Sequence, residues 1–152
     1  MNEEWGLGLD LPAAHSAVAT ARKVIGHFAR LEGLEEREVD TLMLVTSELL
    51  GNAIDHGGGN HALVEEELEG DVRMRVQFEM TSTGWTVEVS DQGGGDPAEI
   101  EPLIHPEGLP DLEDERGRGF FLLAQMVDRL DVTRSADGRG LTFLAVREHG
   151  AG

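Results

Sequence analysis

Three groups of residues in this chain have the types and spacing to do chemistry. Glu48 and Asn52 stand four residues apart in TLMLVTSELLGNAIDHGGG, residues 41–59, so on a helix a carboxylate and an amide would project together one turn apart. Asparagine is a poor residue for a helix interior, because its side chain competes for main-chain hydrogen bonds, and its place here calls for a reason. A solvated helix face is the bland one. Asp91, Gly93 and Gly95 form a D-x-G-x-G, in which the glycines would let a ligand approach the main chain and the carboxylate could accept hydrogen bonds from an amine. A plain turn would read the same way. Gly117 and Gly119, interleaved with Arg116 and Arg118, precede an apolar periodic stretch, so their amides would face an anion at the positive end of a helix dipole. An ordinary helix start is the competing reading.

The patterning around these residues says what must position them. Leu42, Met43, Leu49, Leu50, Ala53 and Ile54 gather on one arc of a helix whose opposite side carries Thr41, Glu48, Asn52 and Asp55. Gly57 to Gly59 would stop that helix, and Glu35, Glu36 and Glu38 crowd its start, where the dipole favours acids. Before it, Trp5, Leu7, Leu9 and Leu11 alternate as a first strand, and Ala14, Val18, Ala21, Ile25 and Phe28 make the stripe of a first helix ending near Gly33. HALVEEELE and DVRMRVQFEM predict a hairpin, and Trp85, Val87 and Val89 predict a strand that delivers the chain to Asp91. Residues 96–116 hold four of the five prolines and a charged LEDER, which predicts an irregular exposed loop. GRGFFLLAQMVDRL then reads as a helix with Phe120, Leu123, Val127 and Leu130 as its stripe, and LDVTRS with LTFLAVRE as a closing hairpin. Such an order predicts one domain over residues 1–152, an α/β two-layer sandwich. Its sheet is mixed but mostly antiparallel, with three main helices on one face.

Composition removes several classes of function. The chain has 152 residues, 39% of them hydrophobic, which suits one soluble domain. No apolar run has the length of a membrane span and the N-terminus lacks the pattern of a signal peptide, so a cytoplasmic protein is expected. With no cysteine, thiolate catalysis and cysteine-ligated metals are excluded, and the six histidines include no HxxxH or HExxH pair. A net charge of −18 repels nucleic acid and anionic lipid, so neither direct nucleic-acid binding nor membrane association is expected. There is no GxxxxGK[ST], no strand–GxGxxG–helix unit and no GxSxG.

Taken in order, Glu48 and Asn52 on a helix, D91-Q-G-G-G95 after a strand, a long loop, G117-R-G119 at a helix start and Thr142 in the last strand resemble the GHKL, or histidine-kinase-like, ATPase superfamily. Within it, SELLGNAIDHG and GRGFFLLAQMVDRL are similar to the N-box and the lid-following helix of stand-alone bacterial anti-sigma factors with serine-protein kinase activity. The resemblance spans nearly the whole chain and implies the Bergerat ATP-binding fold, ATP and Mg²⁺. By position, it implies that Asn52 coordinates Mg²⁺, Glu48 serves as general base or orients the attacking group, and Asp91 binds the adenine amino group. Gly93 and Gly95 would shape the adenine pocket, a lid would run from about residue 96 to 116, and Gly117, Arg118 and Gly119 would approach the phosphates. Thr142 would assist adenine recognition. The implied partners are a sigma factor and a STAS-type anti-anti-sigma protein that accepts the phosphate. Homodimers are common among such relatives, although no apolar stripe here is plainly left over for an interface. Two other readings remain open: a binding module, ATP-regulated or nucleotide-free, that transfers no phosphate, and a detached histidine-kinase catalytic domain. The chain departs from the family pattern at Phe120 and Phe121, and in a lid made acidic by Asp111, Glu113, Asp114 and Glu115.

Overall fold

A computed structural model of the chain describes residues 5–54, 73–91, 97–104, 115–135, 138 and 140–148. Five strands and four helices lie among them, in the order β1 (Trp5–Pro12), α1 (His15–Leu31), α2 (Glu36–Asn52), β2 (Arg73–Met80), β3 (Gly84–Asp91), α3 (Pro97–Ile104), α4 (Glu115–Met126), β4 (Arg129–Arg134) and β5 (Leu141–Glu148). The strands form one sheet in the order β1-β2-β3-β5-β4, and every neighbouring pair is antiparallel.

Strand alternation decides which face the core occupies. Met74, Val76 and Phe78 of β2, Trp85, Val87 and Val89 of β3, Leu141, Phe143 and Ala145 of β5, and Leu130 and Val132 of β4 all turn inward and are buried. The helices supply the second layer. Ala17, Ala21, Ile25 and Ala29 of α1 and Leu42, Val45, Leu49 and Leu50 of α2 close over this face. Phe28 meets Phe78 edge-on at 5.9 Å between ring centroids, and Phe120 of α4 stacks on Phe143 at 5.8 Å. The tight turn between α1 and α2 uses Gly33 at φ +90°, with Leu34 donating to the Ala29 carbonyl at 3.0 Å.

Two expectations need correction. The stretch from 96 to 116 is not irregular throughout: Pro97–Ile104 is helical, because Ile100 and Ile104, one turn apart, both find the core and are 4% and 3% exposed. A fourth helix therefore joins the three predicted. Leu130 does not continue the α4 stripe. Asp128 donates its N–H to the Val146 carbonyl at 2.8 Å, which turns the chain into the sheet, and Leu130 is buried from β4 instead. As the acidic residues at its start imply, α2 begins at Glu36 and runs on as one continuous helix. The HALVEEELE strand and the Gly57 to Gly59 stop lie outside the described residues.

Candidate nucleotide site

The inward row of β3 runs Trp85, Val87, Val89 and ends on Asp91, so the same alternation that fills the core puts a carboxylate on the helix-covered face at the strand's end. Asp91 is 4% exposed, and its Oδ1 accepts the Leu141 N–H at 3.2 Å. That bond needs Gly140 beside it. A Cβ at Gly140 would overlap the carboxylate and main-chain oxygens of Asp91.

α2 runs along β3 in the same direction, since Glu48 lies beside Gly119, and Phe120 next to it stacks on Phe143, the β5 partner of Val89. At the start of α2, Glu38 accepts the Trp85 Nε1–H at 3.3 Å, so the first turn of the helix lies over the start of the strand. From Glu38 to Asn52 the helix rises about 21 Å, and from Trp85 to Asp91 the strand advances about 20 Å. Asn52 and Asp91 therefore come to the same end of the sandwich. Asn52 Nδ2 is buried and has no hydrogen-bond partner among the described residues. An orphaned buried amide costs roughly 1–3 kcal/mol, which an external group can offset. Rotating the carboxamide about its last bond exchanges nitrogen for oxygen in the same space, so the position can equally present an oxygen to a hard cation.

Glu48 sits one turn before Asn52 and meets α4. A Cβ placed on Gly119 would lie 3.8 Å from Glu48 Oε2 and, its chain neighbours and the main chain of its own helix aside, within 4 Å of no other described atom. The carboxylate thus stands beside the first turns of α4, where the unpaired amides and the positive end of the helix dipole lie. The absence of a side chain at Gly119 keeps that approach open. Among the described residues no cluster of three or more His, Asp or Glu is placed to hold a metal. A Mg²⁺ held by one amide oxygen and by phosphates requires none, since this ion keeps several waters and takes few protein ligands.

One end of the fold thus holds Glu48, Asn52, Asp91 and Gly119. Gly117 belongs to α4 as well, two residues nearer its start. Thr142 is placed elsewhere. It pairs with Ser90 across β3 and β5, and the two hydroxyl oxygens lie 3.0 Å apart on the sheet face opposite the helices. It is the main chain of Leu141, one residue earlier, that meets Asp91. Gly93, Gly95 and the side chain of Arg118 lie outside the described residues, as do residues 105–114 of the lid.

A second polar cluster, outside the residues singled out from the sequence, lies at the far end of α2. Glu38, 6% exposed, accepts from Arg147 Nε at 3.2 Å and Nη2 at 3.3 Å as well as from Trp85, while Arg147 Nη1 donates to the Met126 carbonyl at 3.0 Å. The carboxylate at Glu38 holds the Arg147 guanidinium above its ordinary pKa, chiefly through the hydrogen bonds between them. A signal was available. Glu38 is in phase with Leu42, Val45 and Leu49, and Arg147 with Leu141, Phe143 and Ala145, so both are charges in apolar rows.

A family model described as histidine kinase-like ATPase domain matches residues 11–144. No curated protein matches the chain. Among solved structures, a chain of the SiaB–SiaC complex from Pseudomonas aeruginosa superposes with a TM-score of 0.68 at 15% identity, covering 91% of this chain and 87% of that one. At that identity the likeness speaks for the fold. The family match spans both the helix that bears Glu48 and Asn52 and the strand that ends on Asp91. By that match, the chain belongs to the histidine kinase-like ATPase domain family.

Proposed function

We propose that the chain is an Mg·ATP-dependent protein serine/threonine kinase of the anti-sigma type, which phosphorylates a STAS-type antagonist and binds a sigma factor in a partner switch. The observation that carries the phosphotransfer reading is the approach of Glu48 to Gly119. It sets a carboxylate beside the amide-rich start of α4, the arrangement needed to serve an acceptor hydroxyl next to bound phosphates.

In this reading Asp91 accepts from the exocyclic amine of adenine, while the Leu141 amide fixes its carboxylate in place. Asn52, together with the phosphates, would hold Mg²⁺, which would supply neutralisation of the phosphate charge. Glu48 takes the proton of a serine or threonine hydroxyl as its oxygen bonds to the γ-phosphorus. The bond from that phosphorus to the β–γ bridging oxygen breaks, and ADP leaves. An acidic chain gains ATP affinity only through local donors, and the main-chain amides of α4 are such donors. The SiaB–SiaC neighbour is one chain of a two-protein complex, which supports partner binding by this fold.

The test is incubation with γ-labelled ATP and STAS-type proteins from the same organism. Acid-stable label on the STAS protein, lost in Glu48→Ala while ATP binding persists, is the expected result. Acid-labile label would point to phosphohistidine and to a histidine-kinase catalytic domain. ATP binding with no label on any partner would reduce the chain to a binding module.

A further inference from the structure

The two helices that carry the site are fastened together at the end away from it. Glu38 lies in the first turn of α2 and Met126 is the last residue of α4, and one side chain, Arg147 of β5, bonds to both. At the opposite ends of the same helices, Glu48 of α2 faces Gly119 of α4. The helices are therefore antiparallel in this layer, with a guanidinium joining them at one end and the candidate phosphate site between them at the other.

Three donors of one planar group serve this joint. Nε and Nη2 form the fork on the Glu38 carboxylate, and Nη1 takes the terminal carbonyl of α4, which would otherwise be an unmet acceptor of a helix end. Trp85 Nε1, from a fully buried indole, adds a third bond to the same carboxylate. Because the fork is rigid, its three bonds fix the spacing and the relative rotation of the two helices together. Glu48 lies ten residues from Glu38, about 15 Å along the helix, so a few degrees of freedom at the joint become a shift of about 1 Å at the site.

We propose that Arg147, through Glu38 and the Met126 carbonyl, is a positioning residue for phosphoryl transfer: it is the pivot that sets how far Glu48 stands from the phosphate-binding start of α4. The inference rests on the function proposed above. It assigns Arg147 no contact with nucleotide.

Lysine at this position keeps a charge but, having no fork, cannot hold the Glu38 carboxylate bidentately and the Met126 carbonyl at once. The chain contains no cysteine, so Leu44→Cys on α2 and Leu122→Cys on α4, both at exposed positions, give one pair of spin labels across the two helices. Arg147→Lys in this labelled background is expected to fold, to broaden the distance distribution and to keep the Kd for Mg·ATP within about twofold. It should lower kcat for phosphotransfer about ten- to a hundredfold, the range a displacement near 1 Å produces. An unchanged distance distribution, or a kcat that falls only as far as the folded fraction does, would overturn the proposal. If the unsubstituted protein transfers no phosphate, the kinase reading fails by itself, and the distance distribution still decides whether Arg147 is the joint.

Discussion

Gly119 is a glycine inside a helix, and α4 is less stable for it. Replacement by alanine should raise the stability of the protein without ligand by about 0.5–1 kcal/mol, the usual difference between the two residues in a helix. The new methyl has room: beyond its own helix's main chain and its chain neighbours, the described atom near it is Glu48 Oε2, at 3.8 Å, an ordinary contact distance. For a chain of 152 residues the gain corresponds to a Tm higher by about 1–4 °C. The same methyl occupies the space between the Glu48 carboxylate and the α4 amides, where a phosphate oxygen must come close. A tenfold loss of affinity, about 1.4 kcal/mol, is the expected consequence. At a ligand concentration near 100 times the wild-type Kd, stabilisation by Mg·ATP then drops from about 2.7 to about 1.4 kcal/mol. Thermal melts with and without Mg·ATP should cross, with Gly119→Ala the more stable protein alone and the less stable, or at best equal, when ligand is present. A lower Tm without ligand would show that the glycine serves packing. Equal affinity in both proteins would show that no ligand approaches there, and the reasoning would fail at its central contact.

Three other substitutions follow from the same geometry. Gly140→Ala drives a methyl into the carboxylate and carbonyl of Asp91, and should cost about 1–3 kcal/mol in urea unfolding and abolish ATP binding. Glu38→Ala leaves the Trp85 indole N–H buried without its acceptor and Arg147 without its counter-charge. Removing one partner of a buried pair costs about 3–5 kcal/mol, and with Arg147 one-third exposed about 2–4 kcal/mol is expected from denaturant titration. Arg30, near the end of α1, bonds to Glu36 at the start of α2 and holds that carboxylate below its ordinary value of 4.5, chiefly by hydrogen bonding. A lowered carboxylate stabilises the fold above its unfolded pKa and ceases to as pH falls through the folded value. Arg30→Gln should therefore be less stable than wild type at neutral pH and converge with it on acidification below 4.5, which parallel urea titrations would resolve.

Much of this fold is legible in local patterning. Alternation in DVRMRVQFEM and LTFLAVRE and the arc from Leu42 to Ile54 name the strands, the helix and the buried face, because each element here buries one side only. Glu48, Asn52 and Asp91 stand out for a related reason: they are polar groups at places where helix or strand geometry gives them a direction. What local pattern misses depends on contacts far apart in sequence. The Glu38–Arg147 pair spans 109 residues and can be suspected only from a charge in each of two apolar rows. Ile100 and Ile104 sit among prolines, and two residues of helical spacing carry little signal until a core is there to receive them. Thr142 shows what one residue means in a strand. The family resemblance implies a part for Thr142 in adenine recognition, but successive side chains alternate faces, so Leu141 lies on the face of Asp91 and Thr142 on the other.

The most direct measurement is calorimetric titration of the protein with ATP, with and without Mg²⁺, beside the same titrations of Asp91→Asn and Asn52→Ala. Saturable binding is expected, strengthened by Mg²⁺. Asp91→Asn should lose it under both conditions, because its amide presents a donor to the adenine amine, whereas Asn52→Ala should lose only the Mg²⁺-dependent part. Binding that is absent, or indifferent to both substitutions, would contradict the assignment of this end of the fold as an Mg·ATP site.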